Sequence, residues 1–322
     1  MRTAEEAGQA TPIALVFPGQ GTQQPGMGRA WRECESWALA GQIGAWTGVD
    51  VEHLLLRAGE EELRRTDRAQ LSVFTLGVLA HAEASRLGAL DSVVAHAGHS
   101  LGEYAALYAS GALGLREAAL LVAERGAAML RAARRRAGTM TAVIGENAGT
   151  GDAEDLVKAC RRAGYRLWVA NRNGPHQVVL SGTFRGIAAA EARATAAGLR
   201  CGQLPVGGAF HSPLMAPAAR RLRRALRSTP FSAVHEPVVA NIDGRPYVHG
   251  RVWPVLMTAQ LTGAVNWEAC MRTLTGTLGA RRLLELGPGR TLAGLARRID
   301  PSLPVISART PQQLAELVPS LR

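Results

Sequence analysis

Lysine is nearly missing from this 322-residue chain: Lys158 is the only one among 37 lysines and arginines, so a formal net charge of +11 sits almost wholly on guanidinium groups. Aromatic residues are also scarce, at 5%, and none interleave with a basic stripe. A surface that stacks nucleobases between cations is therefore not expected, and the charge favours acidic partners of another kind. Cysteine is limited to Cys34, Cys160, Cys201 and Cys270, far apart and without a CxxC pair, which argues against a disulfide framework or a thiolate metal site. No apolar run reaches membrane-spanning length before Arg, Glu or Gly interrupts it. The first eleven residues carry Glu5 and Glu6 and lack the apolar centre of a secretion signal, so a cytoplasmic location is expected.

What is present is ordinary globular material, 47% hydrophobic. Residues 13–17 read as a short buried strand ending at the turn Pro18-Gly19-Gln20-Gly21. A long apolar helix is expected over 71–87, a second buried strand over 93–95 that breaks at Gly98, and helix again from Glu103 towards Leu130. Strands divided by long helices predict an α/β arrangement with a mainly parallel sheet. The pattern changes near Arg134-Arg135-Arg136. From there strand 140–144, helix 153–163, strands 166–171 and 177–181, helix 186–197 and strand 202–206 give the order β-α-β-β-α-β of a ferredoxin-like unit.

Gly98-His99-Ser100-Leu101-Gly102 fits the nucleophile elbow G-x-S-x-G. Among 36 glycines a chance glycine turn is common, but the strand before it and the helix after it are what an elbow requires. Its glycines leave room around the serine, and the helix start supplies amides that can stabilise an oxyanion. A serine nucleophile needs a base. Of the eight histidines, His53, His81, His235 and His249 are expected to be solvated, His96 to be packed at a strand end, and His99 to diverge from its neighbour in a sharp turn. His211 follows the flexible pair Gly207-Gly208 and precedes Ser212-Pro213. Serine before histidine is the chain order of α/β-hydrolase-like enzymes. The expected architecture is an α/β-hydrolase-like large domain with a parallel sheet, residues 1–136 and 206–322, and an inserted small ferredoxin-like domain, residues 137–205.

These segments, with Phe17-Pro18-Gly19-Gln20-Gly21, Glu103-Tyr104 after the elbow, Arg125-Gly126 followed by Met129, Gly138-Thr139-Met140, Ala170-Asn171 with Asn173, and Pro175-His176-Gln177, resemble the malonyl-CoA:acyl-carrier-protein transacylases. So do Ala209-Phe210-His211-Ser212-Pro213-Leu214-Met215, Gln260-Leu261 and Glu285-Leu286-Gly287-Pro288-Gly289, in family order from about residue 13 to 299. The resemblance implies that Ser100 is the nucleophile and His211 its base, oriented by the backbone carbonyl of Gln260. It implies an oxyanion hole from the amides of Gln20 and Leu101, a malonyl carboxylate gripped by Arg125, and an acyl chain covered by Asn171 and its neighbours. Taken alone, Arg125 would read as a helix-surface arginine, although a guanidinium fork can hold a carboxylate as no apolar pocket can. Two positions need comment. The segment Gln260-Leu261-Thr262-Gly263-Ala264-Val265-Asn266-Trp267 has alanine where the family usually has proline before the valine. Phe210 before His211 is similar to malonyl-selective domains of polyketide synthases, and its ring should narrow the pocket.

The expected function is ping-pong transfer of a malonyl or similar short acyl group from coenzyme A to the phosphopantetheine thiol of an acidic acyl carrier protein. The resemblance implies a coenzyme A thioester as substrate, no bound cofactor and no metal; a monomer is expected, with neither nucleic acid nor membrane as partner. Rival readings are an acyl hydrolase or a carrier-to-carrier acyltransferase on the same fold, and a non-catalytic carrier-binding module. A carboxylate clamp has little use in the first, and an intact serine and histidine speak against the last.

Overall fold

The structure, a computed structural model, describes residues 11–146, 148 and 150–321. Its strands in chain order are β1 (Ile13–Phe17), β2 (Val93–Gly98), β3 (Thr139–Ile144), β4 (Leu167–Gly174), β5 (Gln177–Gly182), β6 (Arg200–Gln203), β7 (Val238–Val239), β8 (Pro246–Tyr247), β9 (Arg282–Leu286) and β10 (Val305–Ala308). They form a six-stranded sheet in the order β10-β9-β1-β2-β7-β8 and a four-stranded sheet in the order β4-β5-β3-β6. In the larger sheet all pairs are parallel except β7 with β8.

Every residue of β1 is buried, as expected of a strand covered on both faces. Its side chains divide by the two-residue period. Ile13, Leu15 and Phe17 join Leu71, Phe74 and Leu76 of the Thr66–Arg86 helix, while Ala14 and Val16 join Trp267, Leu292 and Leu295 on the other side. Burying each large side chain contributes roughly 1.5–3 kcal/mol, so β1 is the spine of the fold.

The four-stranded sheet is antiparallel throughout and packs Val143, Leu167, Val178, Leu180 and Ile187 into a core of its own. Its order is the ferredoxin-like one that the sequence predicts. The closing strand differs: it is Arg200–Gln203, not 202–206. The ladder runs from Ile144 opposite Arg200 to Thr141 opposite Gln203, and the Leu204 N–H still reaches Met140 O at 3.0 Å. Pro205 then has no N–H to give, and residues 204–206 leave the sheet to line a cavity. The two sheets are also tied through Val265. Its N–H donates to Ala170 O at 2.9 Å, and its carbonyl accepts from Arg172 N–H at 2.8 Å.

His81, expected to be solvated, is only partly exposed. It lies in the Thr66–Arg86 helix with its ring edge-on to Tyr108, 5.5 Å between centroids, because the apolar helix continues through it. Burial lowers its pKa from 6.5 to about 4, and burial with the nearby His81 lowers that of His96 to about 3. A base whose folded pKa lies below its unfolded value contributes stability that is complete above the unfolded pKa and is lost as pH falls. Thermal stability is therefore expected to fall as pH drops from about 6.5 towards 4, by ~1.4 kcal/mol per histidine for each tenfold rise in proton activity. Calorimetry of His81→Leu should show a shallower fall than the parent, and an identical slope would refute the assignment. Among the described residues no helix is long and apolar enough to cross a membrane.

Candidate functional site

β2 ends at Gly98, and the helix Gly102–Ala109 begins after only three more residues. So tight a turn forces Ser100 into the left-handed region, with φ of 53°. A Cβ on Gly98 would meet the Gly102 backbone at 2.0 Å, and one on Gly102 would meet Phe17 O at 2.0 Å, so glycine is required at both. Among the described residues only one other non-glycine has a positive φ: His211, at 54°.

The two strained residues meet. Ser100 Oγ lies 2.7 Å from His211 Nε2, and His211 Nδ1 lies 2.8 Å from the carbonyl of Gln260. A carbonyl can only accept, so the ring proton sits on Nδ1 and Nε2 is left to accept from the serine hydroxyl. Burial, aided by the charge of Arg125, lowers the His211 pKa to about 3, so the imidazole is neutral at ordinary pH.

Arg125 lies in the Leu115–Arg135 helix and is 1% exposed. Its guanidinium donates to Gln70 Oε1 at 2.6 Å, Gln260 Oε1 at 3.1 Å and Ser100 Oγ at 3.1 Å, and lies over the Tyr104 ring. All three acceptors are uncharged, and Nε has no acceptor. A buried cation with only neutral partners is costly, and the site is set to take an anion.

Gln20 is joined to this array from the other side. Its Oε1 accepts from Thr66 Oγ1 at 2.7 Å, and Thr66 Oγ1 accepts from Gln70 Nε2 at 2.8 Å. Among the described residues neither the Gln20 N–H nor the Leu101 N–H donates to a protein acceptor, and Leu101 directly follows Ser100 in the turn. Beside this array lies a cavity of about 500 Å³ between the two sheets. Gln20, Ser100, Arg125, Phe210 and His211 line it from the larger unit, and Met140, Asn171, Gln177 and Val179 from the four-stranded sheet. Asn171 and Phe210 are each 5% exposed and both face the cavity, so every side chain that the sequence nominates except Gln260 and Leu101 borders it. Gln260 acts from behind, through its carbonyl.

His99 points to Asn173, with Nε2 2.9 Å from its Oδ1, and its ring is edge-on to Trp267, but both His99 and Asn173 still line the cavity. Among the described residues no three His, Cys, Asp or Glu side chains gather as a metal site would need.

Four groups escape the sequence reading. Asn241, just beyond β7, accepts from Ser100 N–H and donates to Gly98 O, each at 2.7 Å. Glu103 Oε1 accepts from Asn241 N–H at 2.7 Å, and its Oε2 from Gln260 Nε2 at 2.7 Å. Burial pushes the Glu103 carboxyl up to about 7 against the pull of these bonds and of Arg125. Gln70 holds Arg125, and the Gln260 side chain links Arg125 to Glu103. The signal in the sequence is a lone polar residue within an apolar stretch: Gln70 after Ala69 and before Leu71, and Asn241 closing Val238-Val239-Ala240. Such a residue is buried and must find partners.

The sequence profile of the acyl transferase domain matches residues 14–252. A malonyl CoA-acyl carrier protein transacylase of Escherichia coli is 34% identical over 312 residues, 95% of this chain and 98% of that protein. The crystal structure of an acyl-carrier-protein-S-malonyltransferase from Bartonella henselae superposes with a TM-score of 0.90 at 30% identity, covering 96% of this chain and 99% of that one. A malonyl-transacylase solved in complex with its type II PKS acyl-carrier protein superposes with a TM-score of 0.89 at 30% identity, covering 96% of this chain and all of that one.

Proposed function

The chain belongs to the acyl transferase domain family and is an acyltransferase, and on that footing we propose that it moves a malonyl group from coenzyme A to the phosphopantetheine thiol of an acyl carrier protein. The observation that carries the choice of acyl group is Arg125: a buried guanidinium with neutral partners, one of them the Ser100 hydroxyl. A malonyl ester on Ser100 brings its free carboxylate to that cation, where a bidentate pair can form.

In this reading His211 Nε2 takes the Ser100 proton as Oγ attacks the thioester carbonyl, and the Gln20 and Leu101 amides receive the oxyanion. Collapse of the intermediate passes that proton from His211 to the coenzyme A sulfur, which leaves as the thiol and returns the imidazole to its neutral form. His211 then deprotonates the carrier thiol as its sulfur attacks the acyl-serine, and gives the proton to Ser100 Oγ as the ester bond breaks. Pairing of the substrate carboxylate with Arg125 also relieves the charge that depresses His211, so the base strengthens once a dicarboxylic group is bound. Thioester, oxyester and thioester are near in energy, and the route calls on no metal or cofactor. Water must be kept from the acyl-serine, a role that suits the 137–205 segment over the cavity, with Asn171 and Phe210 against the acyl group. A cytoplasmic monomer is the setting we favour. Intact-mass measurement after brief exposure to malonyl-, methylmalonyl-, succinyl- and acetyl-CoA tests the choice: an adduct of malonyl mass should dominate. An adduct from acetyl-CoA alone would overturn it.

The carrier should meet positive charge. Arg131, Arg135, Arg220, Arg221 and Arg224 line a groove of about 260 Å³ between the Leu115–Arg135 and Ala216–Arg227 helices. Arg134 and Arg223 are exposed on the same two helices, Arg136 just past the end of the first, and Arg161 and Arg162 on the Thr150–Arg162 helix. Charge of this density steers an acidic partner, and salt screens it. Raising ionic strength to a few tenths molar is expected to slow malonyl transfer to the carrier several-fold more than transfer to free pantetheine. Equal slowing of both acceptors would mean that docking rests on apolar contacts.

A further inference from the structure

Ser100 adopts its left-handed conformation without glycine's freedom, and something must hold it there. The elbow's own glycines only make room. Gln260 Nε2 donates to the Ser100 carbonyl at 2.9 Å, and the two bonds that span the turn come from one side chain of a neighbouring strand end. β7 pairs with β2 in parallel, His96 opposite Val238 and Ala97 opposite Val239, so the residue two places beyond β7 comes level with the turn that follows β2. That residue is Asn241. It is wholly buried, and its amide spans the turn, with Oδ1 on the Ser100 N–H and Nδ2 on the Gly98 carbonyl, both at 2.7 Å. A side-chain amide holds an accepting oxygen and a donating NH₂ in one rigid plane, so it can clamp an N–H and a C=O two residues apart. Asn241 is itself held by its own N–H on Glu103 Oε1.

We propose that Asn241 is a positioning residue for acyl transfer: it locks the nucleophile elbow and, by occupying the Ser100 N–H, leaves the oxyanion to the Gln20 and Leu101 amides. The inference rests on Ser100 being the nucleophile. Asn241 is not among the side chains lining the cavity, so it acts on the rate of acylation and not on the fit of the acyl group.

The polarity of the clamp makes it testable. Asn241→Asp keeps the acceptor for Ser100 N–H but turns the donor into a second oxygen facing the Gly98 carbonyl. Protonation of the new carboxyl restores the donor, so this variant should regain activity as pH falls. The ionisable groups around the position are Glu103 on the elbow helix, Arg125 behind it, His211 on the opposing loop, Cys270 on the Trp267–Arg272 helix and Asp243 on the same loop as Asn241. Glu103 is in contact with position 241, so in the variant the two carboxyls titrate as a coupled pair and the rate ratio reports that pair.

The experiment is single-turnover acylation by malonyl-CoA from pH 5.5 to 8.5, followed by intact mass, for the parent, Asn241→Ala and Asn241→Asp. The expected result for Asn241→Ala is a ten- to hundredfold lower acylation rate with an unchanged final fraction of acyl-enzyme and a KM for malonyl-CoA within about twofold of the parent. That corresponds to ~1.4–2.7 kcal/mol in the barrier. For Asn241→Asp the ratio of its rate to the parent's should rise tenfold or more from pH 8.5 to 5.5. A merely structural role would lower the final fraction and leave the rate of the folded molecules alone. Parent-like rates in either variant would overturn the inference while leaving the acyl-serine reading intact. Should Asn241→Ala fail to fold, a pH-independent rate ratio for Asn241→Asp overturns it equally. Failure of the parent to form any acyl-enzyme would instead strike the functional reading.

Discussion

Replacing Ser100 by alanine is expected to end acyl-enzyme formation, lowering malonyl loading by at least ~10³-fold, with the fold retained. Among the described residues no other hydroxyl or thiol bonds His211 Nε2, so there is no substitute nucleophile in line with the base. The protein should survive the change. The Asn241 clamp acts through the Ser100 N–H and the Gly98 carbonyl, and Gln260 Nε2 holds the Ser100 carbonyl; alanine keeps all of these, and the lost hydroxyl is only part-buried. His211→Ala should cost a similar factor, because the serine hydroxyl then lacks a proton acceptor, and the two losses should not add in the double variant. Intact mass after exposure to malonyl-CoA decides the matter. A persistent adduct in Ser100→Ala would remove that residue from its role.

Arg125→Ala should separate substrates instead of stopping chemistry. Malonyl loading is expected to fall by ~10²–10³-fold, since burying a carboxylate without its partner costs about 3–5 kcal/mol. Acetyl loading should hold or rise. A methyl group asks for no counter-charge, and the cation that lowers the basicity of His211 is gone. Some stability will be lost, because Gln70 Oε1 and Gln260 Oε1 each lose a donor, at about 1–3 kcal/mol for a buried unsatisfied acceptor. Arg125→Lys should recover little, as an ammonium cannot reach three acceptors in a fixed fork. Loading rates for malonyl- and acetyl-CoA, measured side by side, provide the check. Equal loss of both would make Arg125 a structural residue.

Much of this site is legible in the sequence, for a physical reason. An elbow is a local object: its glycines, its serine and the helix after it are adjacent in sequence, and the steric clashes that demand Gly98 and Gly102 arise within a few residues or against β1. His211 is legible from its loop. Arg125 owes its reading to the resemblance to a family, since a helix interior gives no sign of which face meets a cavity. The partners of these groups are illegible because they come from distant elements. Asn241 reaches Ser100 across 141 positions, and Gln260 reaches Glu103 across 157. Nothing local marks such a pair. The order of the four-stranded sheet follows from its alternating strands and helices, while the end of β6 does not, because the apolar run continues past the last residue that can join the ladder.

The left-handed backbone at Ser100 and His211 has a consequence for how this protein could be improved. Strain of this kind costs of order 1–3 kcal/mol at each residue, and glycine would relieve it at either position. Selection for a tougher fold alone would therefore remove both functional side chains first. In the proposed mechanism stability and turnover would compete at these two addresses, which among the described residues are the only non-glycine positions with a positive φ. Thermostabilising this enzyme is a task for the rest of the chain.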